Sequence, residues 1–304
     1  MKKLFFSAVA LCMGICAMAQ SNFYVYKSDG TEVEFAVGEV DSISFVKPPF
    51  HAVFSVAADK TVKFSSGNLQ YTRSTQKWAF AEHQYDIIGT DNLVGGTGEV
   101  SYDENYYGYE RTGKDLADKV DLFGWSGDKA AQPWGVDTIN VDSAYAGAFA
   151  DWGQNIGDGS TWRTLTNAEW KYLFYNRDEN KYGTACIKLS ETDSVNGLVL
   201  LPDNWTCPDG IEFKSGCNGY AAHQTFNLAQ WQQMEQAGAV FLPAAGHRAI
   251  LKVEYVSTRG RYWSATEEYT DEGAKYFWFG DSGISFWYIN RGDACSVRLV
   301  QDVK

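Results

Sequence analysis

The chain is short of positive charge, of histidine and of long apolar runs, and each shortage removes a class of function. Its 26 Lys and Arg face 38 Asp and Glu, a formal net charge of −12. Nucleic acid and anionic membrane surfaces both call for positive patches, so neither is expected as a partner. Only 4 histidines occur, none in a paired motif, and the cysteine spacing does not resemble a zinc site. Past the amino terminus no apolar run reaches the roughly 18 residues of a spanning helix, so no membrane-spanning segment is expected there. A twelve-residue calcium loop and a solenoid period are both missing.

Residues 1–19 read as an export signal: Lys2 and Lys3 are followed by an apolar run from Leu4 to Cys16 and by the cleavage pattern Ala17-Met18-Ala19. The expected location is therefore extracellular or at the cell surface. Cleavage removes 2 of the 26 bases, leaving 24 against 38 acids and a net charge of −14. Cys12 and Cys16 follow Leu11 and Ile15, not the small residue a lipid-attachment box needs. Four cysteines remain beyond the leader, Cys186, Cys207, Cys217 and Cys295. Outside the cytoplasm they permit three disulfide pairings, and Cys207 and Cys217 flank a Pro-Asp-Gly turn that they could staple. A chain of this length can equally leave them free and buried.

What the chain has in quantity is aromatic side chains, 15% of residues with 11 Trp and 18 Tyr, enough for a sizeable core. Two short helices are specified by their caps. Thr166 with Glu169 forms a capping box, and Leu165 with Trp170 a hydrophobic staple; Trp170, Leu173 and Phe174 continue at helical spacing. Asn227 with Gln230 repeats the grammar, with Phe226 and Trp231 flanking, Met234 on the apolar face and Gly238 as the stop. Before the main domain, residues 20–49 form a β-hairpin appendage, with strands around Tyr26 and Phe35, a third short strand at 41–46 and a Pro48-Pro49 hinge. From residue 50 to 304, alternating strands are expected at Phe54/Val56, Val62/Phe64, Leu69/Tyr71 and Trp78/Phe80, buried strands at the continuous apolar runs 197–201 and 239–242, each followed by Pro, and further strands at 262–266, 276–279, 284–289 and 296–301. Residues 86–160 read as a long loop region. The fold class is α+β, two short helices with a mostly antiparallel sheet.

Three segments resemble one family. Trp162-Arg163-Thr164-Leu165-Thr166 with Glu169-Trp170, Gly260-Arg261-Tyr262-Trp263-Ser264-Ala265-Thr266 and Ser296-Val297-Arg298-Leu299-Val300 are similar to signature segments of the formylglycine-generating-enzyme superfamily, a variant of the C-type lectin fold. Leu165-Thr166 stands where the family has Leu-Pro, the mark of a divergent branch. The enzymes of the superfamily bind copper through a cysteine pair near the carboxyl terminus, whereas here Cys295 is alone in that region. The calcium-dependent sugar-binding tripeptides Glu-Pro-Asn and Gln-Pro-Asp do not occur. The resemblance therefore implies a binding protein, C-type-lectin-like, without a cofactor, and similar to the variable proteins of diversity-generating retroelements. Such proteins vary between the second and third segments. Within Asp281–Cys295 every residue but Trp287 can arise by adenine-directed change of an Asn codon.

The implied ligand, a protein or glycan at the cell surface, would sit on residues 267–293. The expected contacts are Glu267, Tyr269, Asp271, Asp281, Ser282, Ile284, Phe286, Tyr288, Asn290 and Asp293. The alternation Ile284, Phe286, Tyr288, Asn290 against Ser285, Trp287, Ile289 gives one aromatic row for the outer face. The competing possibility is that this row is ordinary core. Exposed aromatics among small polar residues suit a recognition surface because they bring contact area at low entropy cost. A divergent enzyme of the superfamily and a structural component of a surface assembly, pairing through the amino-terminal hairpin, are the alternatives.

Other patterns carry less. Asp281-Ser282 and Ala222-His223 imitate serine-protease loops, but a triad is defined by geometry and the surrounding segments specify another fold. Arg291-Gly292-Asp293 matches an integrin-type tripeptide by coincidence of three residues. Asp137, Asp142, Asp151 and Asp158 offer oxygens for Ca²⁺, although a solvated acidic loop accounts for them as well. Glu267 and Glu268, adjacent in a strand, point to opposite faces and would not flank one glycosidic bond.

Overall fold

Two helices begin where their caps require. In a computed structural model, α1 spans Asn167–Tyr175 and α2 spans Leu228–Gln236, each closed by a complete capping box, Thr166 with Glu169 and Asn227 with Gln230. Each box satisfies two of the backbone N–H groups that a helix start leaves without partners. Leu165 and Trp170, the staple of α1, are both fully buried. After α2 the chain turns at Gly238, whose φ of +99° suits glycine, and an added Cβ there would lie 2.7 Å from that of Ala52.

The structure describes residues 22–26, 30–36, 52–95, 100–104, 108–125, 148–157, 161–178, 181–268 and 273–303. The export signal, the strand expected at 41–46 and the Pro48-Pro49 hinge lie outside them. The chain divides into two units, 1–47 and 48–304. In the first, Asn22–Tyr26 pairs antiparallel with Glu32–Ala36 as a hairpin.

The second unit is α+β with mostly antiparallel sheets. A six-stranded sheet has the order Phe123–Gly124, Ala294–Cys295, His247–Ala249, Lys252–Val256, Gly108–Thr112, Ser101–Asp103. One four-stranded sheet runs Arg163–Thr164, Leu299–Val303, Lys60–Phe64, Phe54–Ala57. Another runs Thr225–Asn227, Tyr182–Lys188, Ser194–Leu200, Val240–Pro243, with the first pair parallel. A three-stranded sheet of Lys119–Val120, Leu69–Thr72 and Lys77–Phe80 and a second of Gly260–Glu267, Gly273–Gly280 and Gly283–Asn290 complete the main pairings.

Residues 86–160 are not simply a loop. Their described part contains six short strands, among them Gly108–Thr112 and Phe123–Gly124, and Trp125 and Trp152 are fully buried. Strands of two to five residues hold by pairing with distant partners, a cause that local sequence does not display. Trp152 opens a 3-10 turn capped by Asp151, and Gly153 lies so close under Trp162 that an added Cβ would stand 1.9 Å from its carbonyl oxygen.

The buried side chains form three clusters. Trp125, Trp152, Trp263 and Leu299 belong to one; Trp170, Phe174, Tyr262, Phe277 and Val300 to a second. In the third, Trp231 and Met234 of α2 cover Ile187, Val199 and Phe241.

Candidate binding surface

The strand Gly273–Gly280 pairs on one side with Gly260–Glu267 and on the other, along its whole length, with Gly283–Asn290. The register sets Tyr262, Phe277 and Phe286 side by side on one face of this sheet, and Trp263, Tyr276 and Trp287 on the other. The first face lies on α1, with the Trp170 ring 4.3 Å and the Phe174 ring 5.3 Å from that of Phe277. On the second face Trp263 and Tyr276 enter the neighbouring cluster. Both faces are thus covered over most of the sheet, and the remaining accessible feature is the outer edge of Gly283–Asn290, which has no strand partner among the described residues.

The expected outward row divides at this edge. Ile284 and Phe286 are half-buried against the α1 cluster, so they are not free anchors. The Phe286 ring lies 6.2 Å from Phe174 and 5.5 Å from Tyr175, and the Lys171 ammonium sits 5.6 Å from its centre. The reason is α1, which packs across the start of the strand and which a two-residue alternation does not register. Tyr288 belongs to the same row but is 51% exposed. Trp287, assigned by alternation to the opposite row, is 63% exposed because its strand is the sheet's edge. The rings of Trp287 and Tyr288 are nearly parallel, 8° apart in plane with centroids at 5.9 Å.

The other expected contacts scatter around this edge. Asp281 and Ser282 are exposed in the turn before it, and Asn290 is exposed at its end. Glu267 is exposed, its carboxylate 3.4 Å from Arg291; Asp293 is half-buried. Tyr269 and Asp271 lie outside the described residues. Two contributors were missed, Trp287 and Tyr175, the latter 58% exposed. Tyr175 had a signal: it follows Phe174 on the helix, and a step of one residue rotates it off the apolar stripe.

The weaker patterns resolve into ordinary structure. Arg291 is 1% exposed, with its guanidinium 4.5 Å from the Trp125 ring centre and its Nε donating to the Gly273 carbonyl at 3.2 Å, so it is no integrin-type loop residue. Glu267 pairs with Arg291 while Glu268 pairs with Lys275 at 3.1 Å. The His223 Nε2 has no hydrogen-bond partner, so no serine hydroxyl is bonded to that nitrogen. Asp151, one of the four aspartates considered for Ca²⁺, already accepts from the backbone of Gly153 and from both N–H and hydroxyl of Thr164. Asp137, Asp142 and Asp158 lie outside the described residues, and within those no three His, Cys, Asp or Glu converge on one point. All four described cysteines are free thiols. Burial pushes the Cys217 thiol up to about 11 and raises that of Cys295 as well.

Comparisons with protein families, with curated proteins and with solved structures find no match to this chain.

Proposed function

We propose that this chain is an exported or surface-displayed recognition protein on a C-type-lectin-like scaffold, holding a protein or glycan ligand at the free edge of its last three-stranded sheet. Support for the scaffold comes from how its three signature segments meet. Arg163–Thr164 pairs with Leu299 and Val300, the Trp170 indole donates to the Trp263 carbonyl at 3.2 Å, and the Trp263 N–H donates to the Ser296 carbonyl.

The observation that carries the ligand site is the pair Trp287 and Tyr288. Two large aromatic rings stand parallel and exposed on an edge whose neighbours are buried on both faces. Such anchors contribute affinity more than stability. The full chain should therefore bind at least one member of an immobilised panel of extracellular proteins and glycans. The variant W287A/Y288A is expected to lose that binding at least tenfold while its unfolding free energy changes by about 0.5 kcal/mol or less, as for surface positions generally. Undiminished binding by the double variant would remove the edge from consideration.

A second role is favoured by the amino-terminal hairpin. Its two strands have no further strand partner among the described residues, and Tyr24, Val25, Tyr26 and Phe35 are exposed on it. Unpaired edges of this kind recruit another strand. Deleting residues 20–49 is expected to abolish any self-assembly seen by light scattering and to spare ligand capture; assembly that survives the deletion would exclude the hairpin.

A further inference from the structure

We propose that the 48–304 unit also contains a site for an oxyanion, a carboxylate or a phosphate group, formed by Arg259 and Arg261. The site is built from other side chains than Trp287 and Tyr288 and does not depend on what binds at the free edge.

Among the described residues, Arg111, Arg163, Arg177 and Arg291 each have a carboxylate partner. Arg73 and Arg298 lack one too but donate to the Leu116 carbonyl and to Gln84; Arg259 and Arg261 have neither, in a chain whose acids outnumber its bases by 12. Both guanidinium groups are instead held by rings. Arg259 is sandwiched between Tyr255 and Trp278, its Cζ 4.3 and 5.3 Å from the ring centres. Arg261 stands between the same Tyr255 at 5.7 Å and Tyr276 at 5.4 Å. Stacking occupies the flat faces of a guanidinium and leaves its N–H edges free, the arrangement that recognises planar or tetrahedral oxyanions through paired hydrogen bonds. The Arg261 Nε is buried and has no hydrogen-bond partner, a donor in place with nothing to receive it.

Tyr255, the ring shared by both arginines, is fixed in an uncommon way. It has a φ of +61° within a β-bulge between Val253 and Val256, and Ser257 follows at +65°. Left-handed backbone at non-glycine residues persists only where the surroundings enforce it, and it concentrates at functional sites. On the ring lies His247, 3% exposed, with centroids 5.7 Å apart, and its Nδ1 is without a hydrogen-bond partner. Burial first, then Arg261 and Arg259, hold His247 well below its ordinary pKa, so it stays neutral beside the two cations. Glu254, 3.6 Å from His247, is engaged by Lys252 at 2.8 Å. An entering oxyanion would find two guanidinium groups that no described carboxylate holds in an ion pair.

The test measures the thermal midpoint of the full chain against rising sodium succinate, sodium phosphate and sodium chloride at matched ionic strength. A saturable rise with succinate or phosphate that chloride does not produce is expected, because a ligand that binds only the folded state stabilises it. Response to succinate alone assigns a carboxylate, and response to phosphate alone a phosphate group. In R259Q/R261Q the rise should disappear. In R259K/R261K, which keeps the charge and loses the fork, half-saturation should need at least fivefold more anion. A wild-type chain that responds to neither anion beyond chloride overturns the proposal, as does an undiminished response in R259Q/R261Q. Should the Gln variant not fold, the Lys variant decides, and an unchanged half-saturation there overturns the site.

Discussion

Trp170→Ala is expected to lower the unfolding free energy by about 3–5 kcal/mol, the usual range for removing a large aromatic from a packed core. Trp170 is fully buried, and its ring meets Phe277 at 4.3 Å, Phe64 at 6.0 Å, and Phe174 and Tyr262 each at 6.4 Å. These partners belong to two different sheets and α1, so the substitution opens a cavity where several elements converge and where little can collapse to fill it. The indole N–H that donates to Trp263 is lost too, leaving a buried carbonyl short of a partner. For a unit of this size the thermal midpoint should drop by roughly 10 °C, at roughly 2–4 °C per kcal/mol. Calorimetry of the two chains checks it, and a shift of only a degree or two would mean that Trp170 is not the centre of its cluster.

Glu169→Gln should cost roughly 1.5–3 kcal/mol at neutral pH, the loss expected when hydrogen bonds to a charged group are weakened. The Glu169 carboxylate accepts both prongs of the Arg163 guanidinium at 2.8 Å, the Thr166 N–H at 2.8 Å, and an ion pair from Lys60 at 3.0 Å. Gln can still close the capping box, as Gln230 does at the start of α2, so the substitution isolates the charge. Burial works to raise the Glu169 pKa, yet Arg163, the Thr166 amide and Lys60 outweigh it and hold the carboxyl below its ordinary 4.5. A carboxyl with a lowered folded pKa stabilises fully above its unfolded value, and that contribution fades as pH falls through the folded value. The wild-type chain should therefore lose stability over Glu169→Gln below about pH 4.5, until the two converge in stronger acid. Denaturant unfolding at stepped pH measures the difference, and parallel curves would show that this carboxylate is not linked to folding.

How much was legible in the sequence depends on how local each cause is. The helix starts at Thr166 and Asn227 were readable to the residue because a capping box is closed within four positions. Several strands were readable from alternation, and Ser194–Leu200 and Val240–Pro243 from continuous apolar runs. The strand Tyr182–Lys188 was not, since its small residues, Gly183, Thr184, Ala185 and Cys186, carry no two-residue pattern and it lies inside a mixed sheet. At the free edge, alternation correctly placed Phe286 and Tyr288 on one face. It had no means of showing that α1 covers the first and stops short of the second. Arg259 and Arg261 gave no signal, because the rings that fix them come from residues 255, 276 and 278 through sheet register.

The last three-stranded sheet is gripped from both sides, by the α1 cluster on one face and by the Trp263 cluster on the other, while among the described residues its final strand pairs along one flank only. The outermost positions from Trp287 onward therefore sit on a rail that stays put whatever side chains it carries. Substitutions on that rim would leave untouched the interior that holds the rail in place.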